Sequence, residues 1–361
     1  MQSSLKIFEV AGIEVRLHFS LIVILLLLIY AFFVSPPPVG FSNFPIDLRI
    51  LLSILASFFI VLSILAHELA HSIVAKRQGI NVRGIVLFIF GGVAMMEEMP
   101  KDAKKEFEVA VSGPLMSFFI AFLFFFFASV FSEPLRSFSV TLGYINVFLG
   151  LFNLIPAFPM DGGRVLRSIM ASRYGYGKAT RTAAEIGRFL AIMMAVFGIF
   201  YNPWLILIAL FIYIGASEEE KLVTLESLLG KMRVRDIMTT NVIAVSPSSK
   251  VRDVLEMMIR YKHLGYPVVD NDKVVGIITL EDILRSSPDD EVEKVMSKNV
   301  ITIEPERSAF EAFKIMSEVR IGRLPVVSNG KLVGIVTRSD LMKTKEVLEA
   351  LEVLGWKTRS L

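Results

Sequence analysis

The sequence has no cysteine among its 361 residues. Disulfide bonds, zinc sites with cysteine ligands and thiol catalysis are therefore excluded, although the absence is neutral about the compartment. Histidine is also scarce, with four in the whole chain. The formal net charge of +3 is too small to indicate a partner nucleic acid.

Charged residues are scarce in the first part of the chain. Residues 1–216 contain 16 Lys and Arg with 12 Asp and Glu, whereas the shorter stretch 217–361 contains 22 and 23. Hydrophobic residues make up 54% of the sequence, above the value of about 45–50% for ordinary soluble proteins. We therefore predict a membrane-embedded first part and a soluble second part.

Six apolar stretches are candidates for membrane spans, which need about 20 mostly apolar residues. They are Leu17–Val34, Leu48–Ala75, Val109–Phe131, Phe138–Met160, Ala179–Tyr201 and Pro203–Ala216. One long tilted helix over 189–216 is the alternative to the last two, although Pro203 disfavours helix at the preceding residue.

Lysine and arginine are unevenly distributed over the predicted loops. Residues 76–105 contain six and residues 161–181 contain five, whereas residues 35–46 contain none. Cytoplasmic loops are enriched in these residues, so we expect 76–105 and 161–181 to be cytoplasmic. With six spans both termini are cytoplasmic as well, whereas five spans would put the C-terminal tail outside. Within the first of these loops, residues 82–90 are rich in β-formers, which predicts either a packed hairpin or an exposed strand edge that pairs with an extended peptide.

The second predicted span contains the motif His67-Glu68-Leu69-Ala70-His71. Residues four apart lie on one face of a helix, so both imidazoles can bind one metal ion. Glu68 is placed to take a proton from a water that the ion makes acidic. Ionisable side chains in a bilayer cost about 2.5–3.5 kcal/mol each, which favours a metal site over a metal-free polar cluster.

Asp161 is the candidate for a third ligand. It lies in an unwound stretch with two prolines before it and two glycines after it, which membranes tolerate where the backbone lines a cavity. Two His and one Asp leave a fourth tetrahedral position for water, as in catalytic zinc sites. The alternative role for Asp161 is a helix cap or a turn.

Other polar residues in the predicted spans are less specific. Asn153 could donate a hydrogen bond to a developing oxyanion, or could join two helices by a hydrogen bond, and spacing does not separate these roles. Asn146 has only the second interpretation. Glu185 and Arg188 are three residues apart, so we expect them to pair with each other.

These motifs together resemble the site-2 proteases, which are intramembrane zinc metalloproteases. The resemblance is carried by His67-Glu68-x-x-His71, Gly113-Pro114 and Asn153-x-x-Pro156-x-x-Pro159-x-Asp161-Gly162-Gly163. It implies that one zinc ion is bound by His67, His71 and Asp161. It also implies that Glu68 is the catalytic base and that Asn153 assists the oxyanion or positions the substrate. The implied substrates are transmembrane segments of other proteins in the lipid bilayer.

Residues 231–345 contain an internal repeat. An offset of 58 aligns Val234–Leu284 with Val292–Met342 without a gap, with 17 identical pairs in 51. Each copy reads as strand, helix, strand, turn, strand and helix, and such units bury their faces against a partner copy. The repeat resembles a CBS-domain pair through Gly276-Ile-Ile-Thr279-x-x-Asp282 and Gly334-Ile-Val-Thr337-x-x-Asp340.

The resemblance to CBS domains implies binding of an adenine nucleotide, ATP or AMP, between the repeats. The residues implied to hold the ribose are Thr279, Asp282, Thr337 and Asp340. Basic side chains that could meet phosphates are Lys262, His263, Arg320, Arg323 and Arg338. The alternatives are a scaffold for a homodimer that binds no ligand, and plain helix N-caps, which Thr-x-x-Asp also forms.

The predicted fold is a polytopic α-helical membrane protein, with six transmembrane helices and a short β-rich membrane-proximal loop, followed by a soluble α/β CBS-domain pair. The predicted parts are the metalloprotease domain 1–216, a solvated linker 217–230, the repeats 231–286 and 287–345, and a tail 346–361. The predicted function is zinc-dependent intramembrane proteolysis in the cell membrane, near its cytoplasmic face, with nucleotide sensing by the pair. The alternative is a CBS-gated metal transporter or channel, which should have polar residues at several depths.

Overall fold

A computed structural model describes residues 4–89, 91–96 and 102–353. Phe90, Lys101 and the last eight residues of the predicted tail lie outside the described residues. The chain divides into two compact units, Met1–Lys221 and Leu222–Leu361. The elements of the first unit are β1 (Ser4–Val10), β2 (Ile13–His18), α1 (Leu21–Val34), α2 (Ile46–Arg77), β3 (Val82–Phe88), β4 (Gly91–Met96), α3 (Ala103–Val130), α4 (Leu135–Asn153), α5 (Asp161–Tyr174), α6 (Tyr176–Phe200) and most of α7 (Trp204–Leu229).

The helices of the first unit form a multi-pass membrane region. Within the described residues, four helices are long and apolar enough to cross a bilayer, namely α2, α3, α4 and α6. They expose large apolar side chains such as Phe122, Phe148 and Ile199, as lipid-facing helices do. Helix α1 is apolar but has 14 residues. The predicted number of six spans therefore stays a prediction.

Two predicted helix boundaries have clear counterparts. Helix α6 ends at Phe200 and α7 begins at Trp204, so the chain breaks at Asn202-Pro203 rather than forming one long helix. Helix α4 ends at Asn153 and α5 begins at Asp161, which leaves a non-helical connection over 154–160. This connection is the predicted unwound stretch. Residues 161–181, predicted to be a loop, instead form α5 and the start of α6.

A four-stranded sheet accompanies the membrane helices. Its order is β1-β2-β3-β4, with β2 and β3 parallel and the two outer pairs antiparallel. Of the two alternatives for 82–90, the structure has the packed hairpin, because β3 pairs with β4 on one side and the N-terminal hairpin β1-β2 covers its other side. The outer strand next to β3 is β4, Gly91–Met96.

The ion pair predicted between Glu185 and Arg188 is also wrong. Glu185 instead accepts a hydrogen bond from Arg181 at 3.2 Å, and Arg188 donates to Glu220 of α7. The reason is that α7 does not stop at 216 but continues to Leu229, which brings its glutamates to the arginines of α5 and α6. The first residues of the predicted solvated linker thus form ion pairs within the first unit.

The second unit repeats one arrangement twice. Its elements are α8 (Val234–Ile237), α9 (Val251–Tyr261), β5 (Gly265–Asp270), β6 (Lys273–Thr279), α10 (Leu280–Leu284), α11 (Val292–Val295), α12 (Ala309–Glu318), β7 (Arg323–Ser328), β8 (Lys331–Thr337) and α13 (Arg338–Val353). The hairpins β5-β6 and β7-β8 have equivalent registers, pairing Gly265 with Thr279 and Arg323 with Thr337. The offset of 58 is confirmed by this equivalence.

The two repeats exchange their first segments. Thr239, at the start of the first repeat, pairs with Ile335 in β8, and Ser297, at the start of the second, pairs with Ile277 in β6. Val234 accordingly packs in the core of the second repeat and Val292 in the core of the first. This exchange explains why each unit needs its partner copy to bury its apolar face.

Candidate metal centre

Three side chains from two helices converge inside the first unit. His67 and His71 lie on α2, and Asp161 is the first residue of α5. The Oδ2 atom of Asp161 lies 3.2 Å from Nε2 of His67 and 3.1 Å from Nε2 of His71, and the two Nε2 atoms are 3.2 Å apart. Both imidazoles are buried, at 3% and 7% exposure. The structure thus brings together the three residues predicted to bind a metal.

Helix α3 orients both imidazoles through their other ring nitrogens. Nδ1 of His71 lies 2.7 Å from the carbonyl oxygen of Val109, and Nδ1 of His67 lies 2.9 Å from Oγ of Ser117. A carbonyl only accepts, so Nδ1–H of His71 is the donor and its Nε2 carries the lone pair. The same tautomer at His67 lets Nδ1–H donate to Ser117. Such contacts fix the tautomer and ring orientation of metal-binding histidines.

Gly113 explains how α3 comes this close. A Cβ atom at this position would lie 2.1 Å from Nε2 of His71 and 2.7 Å from Nε2 of His67. Any side chain would therefore occupy the space in which the two ring nitrogens meet. Gly113 of the Gly113-Pro114 motif thus has a steric role at the centre.

The two glycines after Asp161 are also required by close packing. A Cβ atom on Gly162 would lie 2.3 Å from the carbonyl oxygens of Leu154 and Ile155, and one on Gly163 would lie 2.7 Å from backbone atoms of the same connection. The first turn of α5 therefore packs directly on the backbone of 154–158. This contact holds Asp161 at the centre.

Glu68 lies beside the cluster and under the outer strand of the sheet. A Cβ atom on Gly92 would lie 2.3 Å from Cγ of Glu68, so β4 passes over this side chain at a glycine. Glu68 thus follows the ligand candidate His67 on α2, and its carboxylate lies against an outer strand of the sheet.

The amide nitrogens of the two asparagines bond within their own helix. Nδ2 of Asn153 donates to the carbonyl oxygen of Leu149 at 2.9 Å, and Nδ2 of Asn146 donates to that of Leu142 at 2.9 Å. Each bond stays within α4, so the helix–helix hydrogen bond expected for Asn146 is not formed by its amide nitrogen. The catalytic role of Asn153 stays a prediction.

The converging donor atoms suit a zinc ion. Two imidazole nitrogens and a carboxylate oxygen, all within 4.8 Å of one another, form a donor set that zinc prefers in catalytic sites. With both Nδ1 atoms engaged by α3, the Nε2 lone pairs and the carboxylate face each other in a buried place. A cation between them would relieve that repulsion.

Several contributors to the centre were missed by the sequence reasoning. Val109 and Ser117 lie in an apolar span in which they have no distinguishing pattern. Glu106 and Arg167, which form a buried ion pair beyond the cluster, carry a signal that could have been used. Glu106 is a charged residue in the first turn of an apolar helix, and Arg167 lies in the part of the chain that is poor in charge.

In the second unit, each predicted Thr and Asp contact each other. Oδ2 of Asp282 accepts hydrogen bonds from N and Oγ1 of Thr279 at 2.8 and 2.7 Å. Asp340 and Thr337 repeat the arrangement at 2.9 and 2.6 Å. These are helix N-caps, which is one of the alternatives for this motif. Of the basic candidates, Arg323 donates to the carbonyl oxygen of Gly265 at 2.5 Å.

Comparison with known proteins gives consistent matches for both units. The profile of peptidase family M50 matches residues 55–135 and 129–195, and that of the CBS domain matches 234–289 and 292–346. Zinc metalloprotease MJ0392 of Methanocaldococcus jannaschii is 36% identical over 357 residues, 98% of this chain and 99% of that protein. Rip3 of Mycobacterium tuberculosis is 30% identical over 371 residues, 96% of this chain and 94% of that protein. The solved site-2 protease of M. jannaschii is 38% identical, with a TM-score of 0.46, and covers 60% of this chain and 95% of that one.

The hydrogen bond to Ser117 generates a testable prediction. Replacing Ser117 by Ala removes the acceptor for Nδ1–H of His67, and loss of such a contact typically weakens metal binding by about 10–100-fold. Competition with a chelator should therefore show a weaker zinc affinity for Ser117→Ala. Ser57→Ala is the matched control, because its buried hydroxyl donates to a carbonyl of its own helix. Equal zinc affinities in the two variants would contradict the orienting role.

Proposed function

The chain belongs to peptidase family M50, the site-2 zinc metalloproteases, and we propose that it cleaves peptide bonds in or near transmembrane segments of other membrane proteins. The observation that carries this proposal is the buried convergence of His67, His71 and Asp161 beside Glu68. We further propose that the three are the zinc ligands and that Glu68 is the catalytic base. Their distances and the tautomers set by α3 support these roles.

The proposed chemistry assigns one task to each group. When bound, zinc polarises a carbonyl group and makes a neighbouring water more acidic. Glu68 accepts the proton of the attacking water and delivers it to the leaving nitrogen. Asn153 takes part only if its amide exchanges the bond to Leu149 for one to the substrate carbonyl.

We propose that both termini and the site lie on the cytoplasmic side of the membrane, with six spans in all. Support comes from Lys76 and Arg77 at the end of α2, about one and a half turns beyond His71, and from the basic residues of α5. Because the chain has no cysteine, a single one introduced in place of Ser172, which is exposed on α5, can be labelled in oriented vesicles. Labelling from the outside would contradict this topology.

A substrate held as a helix hides its peptide bonds, so it has to unwind before cleavage. We propose that β4 receives the unwound segment as an added strand. Its outer side is not paired within the described residues, and Gly92 places it against Glu68. Added strands are held through their backbone groups, which suits a protease that accepts varied side chains.

We propose that the second unit senses an adenine nucleotide. The support is the resemblance of the repeats to CBS domains, together with the equivalent placement of Thr279 and Thr337 at helix starts. A nucleotide ribose would bond to hydroxyls and carboxylates that already form these caps. A scaffold for a homodimer is the alternative role for the pair.

The base assignment predicts the behaviour of Glu68→Gln. The amide cannot accept the proton, so cleavage of a reconstituted transmembrane substrate should slow by at least about 100-fold. Zinc content should stay that of the unchanged protein, since no ligand is altered. Persisting cleavage would refute the mechanism. If the unchanged protein moved zinc into the vesicles and cleaved no substrate, the result would instead indicate a metal transporter.

Strand addition predicts an effect of proline in β4. Neighbouring residues of a strand direct their N–H groups to opposite sides, so Val93→Pro and Ala94→Pro remove one inward and one outward donor. The variant that loses the outward N–H, which faces the proposed substrate strand, should keep its fold. Its KM should rise by about 2–10-fold, which is the effect of one lost hydrogen bond. Val93→Ala keeps the N–H group and serves as the control. Unchanged KM in both proline variants would contradict the proposal.

Nucleotide binding can be separated from helix capping by matched variants. Asp282→Ala combined with Asp340→Ala should abolish binding of ATP or AMP in equilibrium dialysis, by removing the ribose contacts. Asp253→Ala removes a comparable cap, on the N–H of Lys250, outside the Thr-x-x-Asp motif and should leave binding intact. Equal losses in both variants, or no binding by the unchanged chain at millimolar nucleotide, would favour the scaffold.

A further inference from the structure

A buried arginine connects four parts of the first unit. Arg167 lies on α5 and is 5% exposed. Its Nε and Nη2 donate to Oε1 of Glu106 at 2.8 and 2.5 Å, and its Nη1 donates to Oε1 of Glu219 at 2.6 Å. The guanidinium also lies over the rings of Phe158 and Tyr176, 4.9 and 4.8 Å from their centroids. Helices α3, α6 and α7 and the 154–160 connection therefore all contact this one side chain of α5.

The connection between α5 and α3 matters for the metal centre. Helix α3 holds the imidazoles, through Val109 and Ser117, whereas α5 carries Asp161. Glu106 precedes Val109 by three residues, and Arg167 follows Asp161 by six, which is about 9 Å of helix. The ion pair between Glu106 and Arg167 thus joins the helix that orients the histidines to the helix that carries the aspartate. Since both charges are buried, α5 cannot shift along α3 without leaving them unpaired.

The third partner of Arg167 comes from α7. Three consecutive glutamates, Glu218, Glu219 and Glu220, have different contacts. Glu219 binds Arg167 of α5, Glu220 binds Arg188 of α6, and Glu218 pairs with Lys221 of its own helix. Helix α7 continues from here to Leu229, past the first residue of the second unit, Leu222. A displacement of α7 would therefore reach α5 through Glu219.

We propose that Arg167 is a positioning residue for the metal centre and that, through Glu219, it makes the placement of Asp161 depend on the position of α7. This inference rests on the proposed role of Asp161 as a ligand. Arg167 does not touch the reacting atoms. It holds the carboxylate-bearing helix at the distance from the histidines that a single ion requires.

The three adjacent glutamates provide the matched test, in the full-length chain. Glu219→Gln weakens the hold of α7 on Arg167 and should raise the Kd for zinc, measured by chelator competition, by about 10-fold. Glu218→Gln and Glu220→Gln remove the same charge from neighbouring positions and should leave this Kd within about twofold. Turnover at saturating zinc should recover in Glu219→Gln with an unchanged KM, because the substrate contacts are intact.

A second pair of variants addresses Arg167 itself. Arg167→Gln should weaken zinc binding more than Glu219→Gln, and Arg167→Lys should recover part of the loss by restoring the charge. If Arg167→Gln does not fold, the zinc Kd of the folded Glu219→Gln variant tests the proposal. Equal zinc affinities in all three glutamate variants would overturn the proposal. Asp161→Ala tests the ligand assignment separately, since retention of zinc there would refute that assignment whatever Glu219→Gln does.

Discussion

The structure of the first unit depends on the approach of two imidazole nitrogens and one carboxylate oxygen to within 3.2 Å of one another in a buried place. These groups are costly in an apolar setting, and their lone pairs repel unless a cation lies between them. The packing around these three groups allows them to lie this close together. Gly113 leaves room for the ring nitrogens, Gly162 lets α5 settle on the preceding connection, and α3 orients both rings from behind.

The centre could be predicted from sequence to the extent that its residues are close in the chain or chemically conspicuous. His67 and His71 are four apart on a helix, and Asp161 stands out in an unwound stretch of a membrane region. Ser117 could not be found this way, because a serine fifty residues away among phenylalanines looks like any polar residue of a packed span. Its role depends on how α3 crosses α2, which is a tertiary property.

The errors in the predicted fold have the same origin. Residues 82–88 have the composition of a strand, but whether a strand is interior or outermost depends on its neighbours. Here the hairpin β1-β2 takes the edge of β3. Likewise, spacing favoured a local pair of Glu185 with Arg188, and the actual partner of Arg188 comes from α7, 32 residues later. In the second unit the prediction was better, since an internal repeat reports tertiary pairing directly through its offset.

The central claim is that one ion is held by His67, His71 and Asp161. X-ray absorption at the zinc edge of the loaded protein tests it most directly. We expect four light-atom ligands at about 2.0–2.2 Å, with scattering from two imidazole rings. A six-coordinate shell of oxygen atoms without imidazole scattering would contradict it.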